Sequence, residues 1–508
     1  MIESIQNIGN HSFVLLICWL FFLCFTILSY FKFQKFTPFL LFFSACFLAC
    51  AFALFAPYFF TWDEQFHALV AKNLAENPLV PKLFKNDPMV LNPENWVNAQ
   101  IWLHKQPLFT WQMALSIKLF GNNVFAVRFP SVLFHGLLVA AIFRIGTLIF
   151  NRKTGFLAAL IAMHSSFLLG LLSGRIGTDH NDFIFLCYIT FSFWAWFEFQ
   201  SSQQQKWLIW IGVFAGCAIL TKWLVGLLVF GAWGIVLLQQ FKQETFWKEI
   251  IYYFKALGIT FLVFIPWQIY TFINFPTEAA REMTYNAKHI SSVIEKHQGS
   301  AWFHYEQIQK IYFHQTEFFI LLLIGITALF LANISKKNII FLLSCLILIY
   351  GFFTSVPTKM PAFTVPIFSF VALIIAFGLT HFLTLIKINW LRRFVLLIVG
   401  LLILNWMFKP NPTLKAYGFK NNTTEQLGRI SRIDAQNFMV KNGQNNPKRI
   451  VFGINDFEYA NISWMFFHDE IAYPFIPEKE DLKKLQKMGF QTLIFKSKKD
   501  FFRTQRLD

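Results

Sequence analysis

TWDEQFHALVAKNL (61–74) opens on an acidic pair, Asp63 and Glu64, directly after an apolar run, Pro38 to Phe60, that carries no charge. A helix needs about 20 apolar residues to cross a bilayer core. The run is long enough, so the two carboxylates stand where a membrane helix meets water. Carboxylates at that depth are costly unless they have partners or work to do. An apolar run followed by a polar segment recurs along the whole chain, and that recurrence decides the fold class.

Composition agrees. Hydrophobic residues make up 56% of the 508, and charged residues only 14%; mean hydropathy is +0.49. A soluble domain would carry about a quarter charged residues, so much of this surface faces lipid. Phe supplies 67 residues, enough for helix faces and interfacial belts. The chain begins with Glu3 rather than a basic cluster, and no small-x-small site follows the first apolar run. That run therefore reads as a retained helix and not as a cleaved signal. The seven cysteines (Cys18, Cys24, Cys46, Cys50, Cys187, Cys217 and Cys345) all lie inside apolar runs and form no CxxC pair. They read as core thiols, not as a disulfide framework or a thiolate zinc site.

Apolar runs fall at about 13–31, 38–60, 124–149, 155–174, 182–199, 207–220, 224–240, 252–270, 317–333, 339–356, 362–384 and 391–408. The chain is thus expected to be mainly α, a polytopic membrane protein with about 12 transmembrane helices. Two of the runs, split by Thr221, Lys222 and Trp223, are short and suit a broken pair. Every second connection is short and basic: Lys32 and Lys35, Arg152 and Lys153, Lys206, Lys242 and Lys248, Lys336 and Lys337, then Lys387, Arg392 and Arg393. Such loops mark the cytoplasmic side. The long segments 61–123, 271–316 and 409–508 then lie outside, as does the N-terminus.

Residues 1–408 are expected to form the membrane domain and 409–508 a small extracytoplasmic α/β domain. Pro410 and Pro412 mark the boundary. Strand-like RIVFGI (449–454) and FQTLIF (490–495) flank a helical EDLKKLQKMG (480–489). Part of the +17 net charge suits anionic headgroups.

Four outer-face features carry chemistry-bearing residues. Asp63 and Glu64 begin an amphipathic stretch whose stripe of Phe66, Leu69, Val70 and Leu74 suits an interface; the same acids also suit a helix N-terminus. In WLHKQPLFTWQ (102–112), Lys105 offers a point charge for a phosphate, or simply snorkels. SGRIGTDHNDF (173–183) crowds Arg175, Asp179, His180 and Asp182 into one short turn, as a candidate site or a self-satisfied ion pair. In SVPTKMPAFTVPI (355–367), Pro357 and Pro361 fix a turn that aims Lys359. Lys222, between two half-helices, is a weaker fifth case.

In order, these segments resemble the GT-C glycosyltransferases of the protein O-mannosyltransferase and aminoarabinose (lipid A) transferase superfamily. That superfamily typically reads Asp-Glu after a membrane helix, then Lys-Pro-Pro-Leu, Ala-Arg-Leu-Pro-Ser, Arg-x-x-x-Asp, Leu-Thr-Lys-Gly and Ser-Lys-Leu-Pro. The counterparts here are WDEQFHALVAKNL (62–74), HKQPLFTW (104–111), AVRFPSVLF (126–134), GRIGTDHNDF (174–183), ILTKWLVG (219–226) and PTKMPAFTVP (357–366). HQGSAWFHYEQI (297–308) resembles a further His-Arg-Gly-Pro-Trp-Tyr-Tyr segment. The departures are Gln106 for a proline, Trp223 for a glycine, an additional first span, and two candidates for the second acid. Aligning Arg175 and Thr178 favours Asp179 over Asp182.

The resemblance implies a GT-C architecture and transfer of a sugar from a polyprenyl-phosphate donor to a lipid, glycan or protein acceptor on the outer face of the cytoplasmic membrane. It implies Asp63, Asp179 and Glu64 as catalytic candidates, and Lys105, Lys359, Arg175 and Lys222 as donor-phosphate ligands. Asp63 and Asp179 would be the ligands if a divalent cation is held, with carboxylates suiting Mg²⁺, Ca²⁺ or Mn²⁺; the superfamily does not uniformly need one, and no cofactor is certain. Expected partners are the donor, the acceptor and membrane lipids, with no nucleic acid. The alternative function is a secondary transporter. Transporters usually show internal repeats and midplane sites, whereas the charges here gather at one face.

Overall fold

The computed structural model describes residues 2–60, 63–92, 94–176, 179–308, 312, 316–408, 423–455 and 457–495. The chain opens on a pair of helices, α1 (Ile2–Lys32) and α2 (Thr37–Phe55). Pro38 sits in the first turn of α2, where a missing N–H costs nothing. The helix ends at Phe55, five residues before the apolar run does. The remaining stretch turns its carbonyls toward a buried arginine described below.

Next come α3 (Asp63–Glu76), α4 (Leu108–Phe120) and α5 (Val124–Ile149). The side chain of Asn123 caps α5, accepting the Ala126 N–H at 2.8 Å. The single run expected over 155–174 is two helices, α6 (Arg152–Met163) and α7 (Ser166–Leu172), bent by 52°. Ser165 restarts the chain as the cap of α7.

The bundle continues through α8 (Asp179–Ser202), α9 (Lys206–Lys222), α10 (Leu228–Gln239), α11 (Phe246–Asn274), α12 (Pro276–Ser291), α13 (Phe303–Gln307), α14 (Thr316–Leu331), α15 (Lys336–Ser355), α16 (Phe368–Leu385) and α17 (Asn389–Phe408). Each apolar run contains helix. Among the described residues seven helices are long and apolar enough to cross a membrane, and the bent α6–α7 pair makes an eighth. The other runs give shorter or partly described helices, so length and composition do not reach twelve spans.

The helices α1, α2, α5, α8, α9 and α11 pack one against the next. The apolar windows of α8 and of α16 with its preceding turn are each 94% buried, against 22% for α1 and 28% for α11. The first two are therefore the centre of the bundle, and the last two its lipid-facing rim. At the centre, Thr190 and Ser369 share a hydroxyl hydrogen bond of 2.7 Å, which satisfies both polar groups. Gly325 lets α14 meet α16, since a Cβ there would lie 2.2 Å from the Ile374 carbonyl oxygen.

After α17 come α18 (Thr423–Asn442), β1 (Arg449–Phe452), α19 (Ala460–Phe467), β2 (Ile471–Tyr473), α20 (Lys479–Lys487) and β3 (Gln491–Ile494). The strands form a parallel sheet in the order β2-β1-β3. Both expected strands and the helix between them are present. The short β2 carried no signal of its own.

This small unit packs onto α3. The expectation that α3 lies open at an interface is corrected: every residue from Glu64 to Leu74 is buried. One side of α3 packs against α4, Phe66 meets the rings of Trp96 and Tyr459, and Gln65 and Lys72 bond the C-terminal unit.

Candidate functional site

Asp63 and Glu64 are neighbours in sequence with different surroundings. Glu64 points inward and is 1% exposed. Arg128, fully buried on α5, grips it through two hydrogen bonds, Nε to Oε1 at 2.6 Å and Nη2 to Oε2 at 3.0 Å. The same guanidinium donates to the carbonyls of Ala53, Ala56 and Tyr58, the stretch where α2 ends. Oε2 also accepts the Phe60 N–H at 3.0 Å. His180 lies 3.5 Å from Oε1 and bonds Ser131 through its other ring nitrogen.

Burial alone would raise the Glu64 carboxyl. Arg128, and to a lesser degree His180, outweigh it and hold it at about 2. Gly174 sits at φ +72°, and a Cβ there would lie 2.1 Å from the Glu64 carboxyl carbon, so the turn closes over this group only as glycine. Glu64 was expected to be catalytic. Its lone pairs are committed to a clamp that fixes the exit of α2 and the start of α3.

Asp63 faces the other way. Its Oδ2 is 3.9 Å from Lys105 Nζ, with side chains 14% and 20% exposed. Burial would raise this carboxyl too, but Lys105, His67, His104 and Lys222 hold it below the ordinary value. Lys222, at the end of α9, forms an ion pair with the fully buried Asp182 of α8. Two carboxylates and two lysines therefore share one end of the bundle, carried by α3, the segment before α4, α8 and α9.

Arg175 lies 4.4 Å over the ring of Phe60. Asp179 opens α8; its side chain lies outside the described residues, as do Gly177 and Thr178. Lys359 departs from expectation. It is 5% exposed, and its Nζ donates to the carbonyls of Phe353 and Thr354 at 2.8 and 2.7 Å. It caps the C-terminus of α15, where carbonyls lack helical partners.

Beside Lys105 lies a shallow cleft open to solvent, a pocket walled by Gln106, Trp223, Trp267, Gln268 and Glu282 among others. Gln268 donates to Gln106 at 2.8 Å. His104 stacks on Trp96 at 4.5 Å and lies 3.2 Å from Glu282. Burial, then Lys105, push the His104 imidazole well below its usual range, and burial raises Glu282. Their contact is thus a hydrogen bond with a neutral ring and not an ion pair. Among the described residues no three His, Cys, Asp or Glu side chains meet as a metal's ligand set. The charge partners of Asp63 and Asp182 are lysines.

Sequence reasoning missed Arg128, His104 and Glu282. Arg128 had a signal: it is a charge inside the apolar run 124–149, and such a charge needs a partner. His104 and Glu282 had none, because 178 positions separate them.

The site is thus an acid–lysine cluster at one end of a helical membrane bundle, beside a docked α/β unit. A family model described as dolichyl-phosphate-mannose-protein mannosyltransferase matches residues 104–270. Undecaprenyl phosphate-alpha-4-amino-4-deoxy-L-arabinose arabinosyl transferase 2 of Pseudomonas fluorescens (strain Pf0-1) is 28% identical over 190 residues, 34% of this chain. The match spans 32% of that relative's own length, about a third.

In fold, ArnT from Cupriavidus metallidurans, solved bound to undecaprenyl phosphate, gives a TM-score of 0.62 at 12% identity, over 92% of this chain and 91% of that one. The archaeal oligosaccharyltransferase AglB from Archaeoglobus fulgidus, solved with an inhibitory peptide and a dolichol-phosphate, gives 0.56 at 12% identity, over 87% and 65%. The resemblance to the GT-C superfamily of protein O-mannosyltransferases and aminoarabinose transferases is therefore present in sequence over 104–270 and in fold over most of the chain.

Proposed function

We propose that this chain is an integral membrane glycosyltransferase. It moves a sugar from a polyprenyl-phosphate donor to a hydroxyl or phosphate of a lipid, glycan or protein acceptor, on the outer face of the cytoplasmic membrane. The observation that carries this reading is the Asp63–Lys105 pair, whose lysine lines the pocket, with Lys222 in reach of the same field. The curated relative and the solved ArnT support a polyprenyl-phosphate donor. The short basic loops support the outer face.

In the reaction the bond from the anomeric carbon to the phosphate oxygen breaks, and its electron pair stays on the phosphate. A new bond forms from that carbon to the acceptor oxygen. Negative charge grows on the leaving phosphate, and Lys105 and Lys222 are placed to take it in a low-dielectric site, where such contacts are strong. An incoming phosphate would join the carboxylates as a partner of the lysines.

Asp63 faces the acceptor. Its lowered carboxyl makes it a weak base, since an effective general base lies near the working pH. Its role is therefore chiefly to position the acceptor and Lys105. With a hydroxyl acceptor it takes the proton as the new bond forms; with an ionised phosphate acceptor there is no proton to take. Asp182 holds Lys222, and Lys359 is left out because the end of α15 occupies it.

Titrating the purified protein with polyprenyl phosphate tests the assignment. A charge-assisted hydrogen bond is worth about 1.5–3 kcal/mol, so Lys105→Met should weaken binding roughly ten- to a hundredfold. Lys387→Met, in a short basic loop far along the chain, should leave it unchanged. Equal affinity in both variants would remove the phosphate from this site.

A further inference from the structure

Trp223 stands where the resembling turn has glycine, and it adopts a glycine's backbone: φ +82°, ψ −164°. Side chains are rarely tolerated in this region, and where a structure holds one there, the cause is commonly functional. The strain is fixed from both sides. The Trp223 N–H closes α9 on the Ile219 carbonyl at 2.9 Å, and the Trp223 carbonyl accepts the Gly226 N–H at 3.0 Å. The next turn then folds back so closely that a Cβ on Gly226 would lie 2.7 Å from the Ile219 nitrogen.

Core packing does not account for the indole. It is half-buried, and among the described residues no aromatic ring stacks on it. It forms one wall of the pocket beside Lys105. Trp267 and Met283 add apolar surface, while Gln106, Gln268, Glu282 and Asn286 add polar atoms. Gln106 and Gln268 already bond each other. That one bond leaves N–H donors and a carbonyl acceptor of the two amides for a ligand, whichever way they are turned. An apolar plate ringed by amides and a carboxyl complements a sugar, whose ring faces carry C–H groups and whose edges carry hydroxyls. Lys105 belongs to both the pocket and the Asp63 cluster, so a ring seated here has its phosphate end at the lysines.

We propose that Trp223 is the platform for the donor's sugar ring and sets which sugar the protein accepts. This rests on the reading of the chain as a polyprenyl-phosphate sugar transferase. The test is Trp223→Gly in the full-length, reconstituted protein, assayed with a panel of sugar-loaded polyprenyl phosphates.

Glycine is at ease at φ +82°, so the thermal midpoint should stay level or rise. Affinity for bare polyprenyl phosphate should be unchanged. KM for the preferred loaded carrier should rise about tenfold, as loss of an aromatic contact would give, and discrimination across the panel should shrink. Trp223→Phe should recover part of it. A fall in thermal midpoint with equal loss on every carrier would make Trp223 a packing residue and overturn the proposal. An active variant with parental discrimination would overturn it as well. If the parental protein released carrier from no member of the panel, the transferase reading itself would fail, and this inference with it.

Discussion

Two adjacent acids divide two tasks. Asp63 faces Lys105, while Glu64 is sealed against Arg128. Removing one partner of a buried ion pair typically costs about 3–5 kcal/mol. Glu64→Gln should therefore lower the thermal midpoint clearly, whereas Asp63→Asn should hardly move it. The pH dependence has a definite sign. The Glu64 carboxyl falls from an ordinary 4.5 to about 2 on folding. Its stabilisation is thus full above about pH 4.5 and lost as pH falls toward 2. An acid-unfolding curve of Glu64→Gln should lack that loss; a curve parallel to the parent's would refute the clamp. The sequence made the acidic pair legible, because carboxylates follow an uncharged membrane run. It did not show which acid does what. That depends on Arg128, 64 positions on from Glu64, and no local pattern links them. Lys359 misled for a similar reason. The proline-fixed turn was read correctly, but its lysine turns back onto the carbonyls of its own preceding helix.

At the level of elements, the helix that carries Asp63 is held by the C-terminal unit. Lys72, 4% exposed, donates to the carbonyls of Met465 and His468 at 2.9 and 2.6 Å and pairs with Asp469 at 3.1 Å. Gln65 donates to the Glu458 carbonyl and accepts from Ser463. Phe59 packs edge-on against Phe466 at 4.9 Å. Lys72→Met would leave two carbonyls without their donor, at about 1–3 kcal/mol. The C-terminal unit should then be cleaved away earlier in limited proteolysis, with transfer reduced alongside. An unchanged digest would mean that the apolar contacts alone hold the unit. The apolar stripe of α3 was legible, but its environment was not. An amphipathic helix covered by a second domain has the same sequence as one lying on lipid. The break between α6 and α7 was hidden for a related reason, since a serine cap inside an apolar run barely disturbs its hydropathy.

At the scale of the molecule, hydropathy alone revealed the helical membrane bundle, because only satisfied backbone survives in lipid. The number of spans did not follow, since short runs make helices whether or not they cross. Sidedness is a separate matter, argued from the basic loops. With Ser335→Cys and Asn445→Cys, an impermeant thiol reagent applied to intact cells should leave the first unlabelled and label the second. The reverse pattern would turn the Asp63 cluster toward the cytoplasm. The central claim is sugar transfer from a polyprenyl phosphate at Asp63 and Lys105. It is tested most directly by the reconstituted protein supplied with sugar-loaded carriers and an envelope extract as acceptor. The parental protein should release free polyprenyl phosphate and label an acceptor, and Asp63→Asn, folded to the same thermal midpoint, should lose most of both. Release by Asp63→Asn at the parental rate would contradict the account.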